Sequence, residues 1–169
     1  MRSSCHFTTT AVAAGFVLAA AAAQAAGTAQ VSFVQSDKFA DAGNARHDID
    51  GNLRELARHI DALAKRYLGD GQKLTVEVLD VDLAGEVRTS RRFMQDVRVL
   101  RGGADWPRIK LRYTLELAGQ APRSGEQSIA DMAYQQHIGG GYASDEPLRH
   151  EKRMLREWFA TQFVAAPVR

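Results

Sequence analysis

Between Arg108 and Leu117 the chain alternates without a break. Ile109, Leu111, Tyr113, Leu115 and Leu117 are apolar, and Arg108, Lys110, Arg112, Thr114 and Glu116 lie between them. Successive side chains of a strand point to opposite faces, so this segment predicts a strand with one face in a core and the other in water. A sheet built around it needs apolar cover on one side, and amphipathic helices are the natural source.

The sequence supplies two such helices. Ile49, Leu53, Leu56, Ile60, Leu63 and Tyr67 fall at helical spacing from about Asp48, with Arg54, Arg58, Asp61 and Lys65 off that stripe. Leu68-Gly69-Asp70-Gly71 supplies the stop. A second helix is predicted from Asp145 to Phe163, with Pro147 in its first turn and Leu148, Leu155, Trp158, Phe159 and Phe163 on its buried face. Strands are predicted at Gln30–Val34, Lys73–Leu83, Val97–Leu100 and Gly125–Ile129, the last as the returning arm of a hairpin. Residues 86–94 show no decisive period. The whole predicts an α+β fold: a mostly antiparallel sheet of about four to five strands covered by two amphipathic helices.

The N-terminus carries an address. Arg2 is the one charged residue before Asp37, the run Ala11–Ala23 is apolar, and Ala23-Gln24-Ala25 has the small-x-small form that signal peptidase accepts. The apolar run is shorter than the roughly 20 residues that span a bilayer. Residues 1–25 therefore read as a cleavable signal peptide. Residues 26–169 read as one exported α+β domain, with an ordered core over about 30–164, no membrane span after cleavage and a periplasmic location. The single cysteine, Cys5, falls within the leader. The mature chain would then hold no thiol, which excludes a cysteine nucleophile, an iron–sulfur cluster and a thiolate metal site.

Charge is the most unusual local feature. Residues 88–112 hold Arg88, Arg91, Arg92, Arg98, Arg101, Arg108, Lys110 and Arg112 against Asp96 and Asp105, in a chain of net charge +2. Arg108, Lys110 and Arg112 share the wet face of one strand and form a row about 13 Å long. One reading is an anion-binding surface for a phosphate- or carboxylate-bearing envelope component, or for a protein. The other is that Asp80 and Asp82 lie across the sheet as ion-pair partners. Nucleic acid would also favour such a row, but an exported protein rarely meets it.

Asp80 and Asp82 could instead be paired carboxylates for a small hydrolase or a metal-binding enzyme. The further ligands and glycine of a calcium loop are missing, and His47, His59, His137 and His150 have no ligand spacing. No metal or cofactor is therefore expected. Arg149, Lys152, Arg153 and Arg156 flank the apolar face of the last helix, where such side chains usually lay stems on the core and heads in water. Gly139-Gly140-Gly141 lacks the Lys-Ser/Thr of a phosphate loop and reads as a connection. Trp106-Pro107 and Trp158 read as core anchors.

Val31–Gly43, Val78–Gly85 with Asp96–Leu100 and Trp106–Tyr113, and Asp145–Phe159 together resemble the domain-of-unknown-function 3016 family of exported bacterial proteins. The GGGY run at 139–142 departs from it in being more glycine-rich or longer. The resemblance implies one exported domain. The family has no assigned activity, so it carries no catalytic residue to this chain. It also implies that Asp80, Asp82, Arg108, Lys110 and Arg112 belong to a family pattern, which suits a binding face and an ion-pair lattice equally. The leading expectation is a non-catalytic periplasmic binding module using the arginine-rich face. The alternatives are an enzyme centred on Asp80 and Asp82 and a structural subunit of an envelope complex.

Overall fold

The computed structural model describes residues 27–90, 95–137 and 145–163; the expected signal peptide, Arg91, Arg92 and the glycine run 139–141 lie outside the described residues. The fold is α+β. Four strands, β1 (Thr28–Phe33), β2 (Lys73–Asp82), β5 (Arg108–Glu116) and β6 (Arg123–Ala130), form one sheet in the order β1-β2-β5-β6. The β1–β2 pair is parallel and the other two are antiparallel. The parallel pair is joined by α1 (Arg46–Tyr67), and α2 (Arg149–Phe163) follows the last strand.

The alternation of β5 is realised residue by residue. Ile109, Leu111, Tyr113 and Leu115 are buried, and Arg108, Lys110, Arg112 and Glu116 are exposed. Leu53, Leu56, Ile60 and Leu63 of α1 and Met154, Leu155, Trp158 and Phe159 of α2 join them in one apolar cluster. Both helices thus cover the same face. Aromatic tips at the rim find polar partners. Trp158 Nε1 donates to Gln127 Oε1 at 2.6 Å, and Gln162 Nε2 donates to the Tyr113 hydroxyl at 2.8 Å. Gly125 makes room for that tyrosine, because a Cβ there would stand 3.0 Å from its ring.

Three details differ from what the sequence predicts. Residues 86–94 show no period, yet Glu86–Ser90 form β3, which pairs antiparallel with β4 (Gln95–Val99) as a separate two-stranded sheet. No residue of β3 is fully buried, so selection for an apolar alternation is missing. The second helix starts at Arg149, not Asp145; Leu148 sits in the left-handed region at φ 55°, which breaks helical continuity after Pro147. Lys152 is the third. Its ammonium is buried, not in water, and bridges Glu55 of α1 at 2.7 Å and Glu146 at 2.8 Å. Burial works against its charge, but the two carboxylates more than offset this and hold its pKa above the ordinary value. Among the described residues no helix is long and apolar enough to cross a membrane.

Two substitutions test this packing by urea denaturation. Leu111→Ala empties a site with no exposure and is expected to cost about 2–5 kcal/mol. Lys152→Met takes the shared cation from Glu146 and leaves Glu55 with Arg58, and is expected to cost about 1–3 kcal/mol. Midpoints unchanged in both variants would contradict the assigned core.

Candidate functional site

No described element packs on the second face of the sheet. The side chains there are set by a bulge. From Lys73 to Val78, β2 pairs with β5 so that Leu74, Val76 and Val78 face the core. The register then shifts between Val78 and Asp80, and beyond it Val81 takes the core position opposite Ile109. The extra residue, Leu79, reverses the phase of the strand. Without it Asp80 and Asp82 would share the face of Leu74 and Val76. With it they stand opposite Lys110 and Arg108.

The predicted row lies on this open face, each member about half exposed. Arg108 pairs with Asp82, its Nε donating to Oδ2 at 3.0 Å, and its guanidinium lies 5.8 Å from the Trp106 ring centroid. Lys110 faces Asp80 in register but pairs with Glu126 Oε1 at 2.9 Å. Arg112 is held from both sides, by Glu77 at 2.9 Å and Glu126 at 3.1 Å. Lys110 first and then Arg112 hold the Glu126 carboxyl below the ordinary glutamate value. Glu126 and Glu77 in turn raise the pKa of Arg112. The row is a lattice of arginine and lysine interleaved with carboxylates.

Asp80 and Asp82 do not converge on a shared site. Asp80 Oδ1 accepts from the Ala40 and Val81 N–H groups, while Asp82 turns to Arg108. Glu86 pairs with Arg88, and Asp131 accepts from Ala133 N–H and contacts His137. Among the described residues no three His, Cys, Asp or Glu side chains cluster so as to hold a metal ion.

A polar junction that sequence reading missed lies where the β3–β4 hairpin meets the body. Arg98 forks onto Asp41 with two bonds of 2.9 Å and also donates to the carbonyls of Ala84 and Gly85. Ala84 N–H donates to Glu151 Oε1 at 2.7 Å. A cleft of about 230 Å³ lined by Leu100, Leu148 and His150 opens beside these groups. Burial pushes the Glu151 carboxyl above its ordinary value. His150 packs edge-on against Tyr134, and burial lowers its pKa. In the sequence Arg98 is one basic residue among eight, and Glu151 is an acid in a charged helix. Nothing local marks Glu151 as buried or Arg98 as half-buried.

The described residues thus define a class: an α+β sheet covered on one side by two helices, whose other side is a self-paired charged face that no described element covers. The chain belongs to the family described as Protein of unknown function (DUF3016), whose model matches residues 27–161. No curated protein and no solved structure matches it.

The junction gives a pH prediction. Because the folded pKa of Glu151 is raised, its contribution is full below the ordinary value of 4.5 and is lost as pH rises through the folded value. Glu151→Gln keeps an acceptor for Ala84 N–H but does not titrate. Thermal melts should therefore show wild type losing stability relative to the variant as pH rises above 4.5. A difference that stays constant with pH would contradict the buried carboxyl.

Proposed function

We propose that the chain is an exported, non-catalytic interaction module of the periplasm that meets another protein through the open face of its sheet. The observation that carries this reading is the lattice itself: Arg108, Lys110 and Arg112 stand on a sheet face that no described element covers, each already held by a carboxylate. Side chains fixed before binding lose less entropy on association than free ones. A small anion would have to displace Asp82, Glu77 or Glu126 from the arginines. A protein surface of mixed charge can instead add to both signs at once, which favours a protein partner over a free phosphate. A subunit of a larger envelope complex is one form such a partnership takes.

Export rests on the leader alone. Arg2, the apolar run to Ala23 and the Ala23-Gln24-Ala25 site support cleavage before Ala26 and delivery to the periplasm. Fractionation of cells expressing the full chain should place it in the periplasm with Ala26 at its N-terminus; an intact leader in the cytoplasm would overturn this.

The partner is sought by affinity capture from periplasmic extract with wild type and Arg108→Glu/Lys110→Glu/Arg112→Glu. The variant is expected to lose the partner. Charge reversal against Glu77, Asp82 and Glu126 can also loosen the fold, so Thr114→Tyr, which adds uncharged bulk to the same face, serves as the second probe. Identical partners for wild type and both folded variants would sink the proposal.

A further inference from the structure

β6 closes one edge of the four-stranded sheet, and one bond fixes its phase. Asp131 N–H donates to Pro107 O at 3.2 Å, and these residues stand opposite each other in the register that pairs Ala130 with Arg108. In an antiparallel ladder, opposite residues alternate between pairs that exchange hydrogen bonds and pairs that do not. Arg123, Gly125, Gln127 and Ile129 therefore direct their backbone groups to β5. Ser124, Glu126, Ser128 and Ala130 turn theirs outward. Neither proline nor a bulge, the usual devices for blunting an edge, interrupts this strand.

Beside the edge runs a groove of about 360 Å³ between β6 and α2, lined by Ile129, Asp131, Met154, Glu157 and Trp158. The Asp131 side chain is 8% exposed. Its Oδ1 accepts from Ala133 N–H at 3.1 Å and lies 3.2 Å from His137 Nε2, but Oδ2 is buried with no hydrogen-bond partner. A buried carboxylate oxygen left in this way is costly. The atom is shut off from solvent, so a donor from outside meets it only once the side chain turns toward the open edge.

We propose that two copies of the chain pair through β6, antiparallel about Gln127, so that Arg123 of each reaches Asp131 of the other. The phase requires the twofold axis to fall on a residue, and opposing Arg123 to Asp131 puts it on Gln127. With the twofold axis at Gln127, Glu126 faces the partner's Ser128 and Ser124 faces the partner's Ala130, so outward backbone groups meet outward groups. On the helix-covered side, Gly125 meets the partner's Ile129 and the exposed Arg123 meets the partner's Asp131. Moving the axis to Glu126 would set two glutamates against each other and leave Arg123 opposite Ile129. Moving it by half a step would oppose an outward residue to an inward one and lose the ladder. The occupant is a second copy because the edge carries both a cation and its unsatisfied acceptor, placed symmetrically about one residue.

Sedimentation of the protein purified from cells expressing the full chain tests this, with circular dichroism to confirm folding. Wild type should show a concentration-dependent dimer. Ser128→Pro removes an outward N–H and leaves the ladder to β5 intact, so the dimer should be lost without loss of fold. Arg123→Asp should weaken it roughly tenfold or more, and Arg123→Asp/Asp131→Arg should recover most of that loss. A wild type that stays monomeric to its highest soluble concentration overturns the proposal. So does a dimer that Ser128→Pro and Arg123→Asp leave unchanged.

Discussion

The pairing of β2 with β5 is the interaction on which the other contacts depend, because it decides at each position which side chain goes under the helices and which goes to water. Leu74, Val76 and Val78 lie against Leu115, Tyr113 and Leu111, and together they make the floor on which α1 and α2 rest. Parallel β1 and antiparallel β6 are added on either side of this pair. A slip of one residue would exchange the two faces and bury charge under the helices. The chain makes one such slip deliberately, at Leu79, where the β1 pairing has just ended at Phe33 opposite Val78.

That bulge explains what was legible in the sequence and what was not. The strict alternation of Arg108–Leu117 and the helical stripes around Leu56 and Leu155 report directly on one buried face each, so the sheet, its cover and the α+β class could be read from spacing. The placement of Asp80 and Asp82 on the open face was also written there, since the apolar phase moves from Leu74, Val76 and Val78 to Val81 and Leu83. The opposition of Arg108 and Asp82 follows from it. Other pairings were not legible. Glu77 and Glu126 reach Arg112 from two different strands, and Asp41 reaches Arg98 across 57 positions. The left-handed Leu148 that delays α2 has no propensity signal, because leucine is an ordinary helix former. β3 was hidden because a strand without a fully buried face has no alternation to show.

The basic stretch therefore changes meaning between sequence and structure. Counted along the chain it is a concentration of positive charge, which suggests capture of anions. Placed in the sheet, its three strand residues meet Asp82, Glu77 and Glu126, and Arg98 is spent on Asp41 and two carbonyls. The surface presented outward is fixed and of mixed sign. A face of this kind suits recognition by geometry and charge pattern more than by net attraction, which is the ground of the proposed protein partner.

The central claim is that the arginine-rich face is paired, with Glu126 at its centre between Lys110 and Arg112. The most direct measurement is the titration of the Glu126 carboxyl by carbon-detected NMR in the folded protein. The account predicts a midpoint below the ordinary value of 4.5, returning toward that value when Lys110 and Arg112 are both replaced by alanine. A midpoint at 4.5 or above in the wild type, unmoved by those replacements, would contradict it.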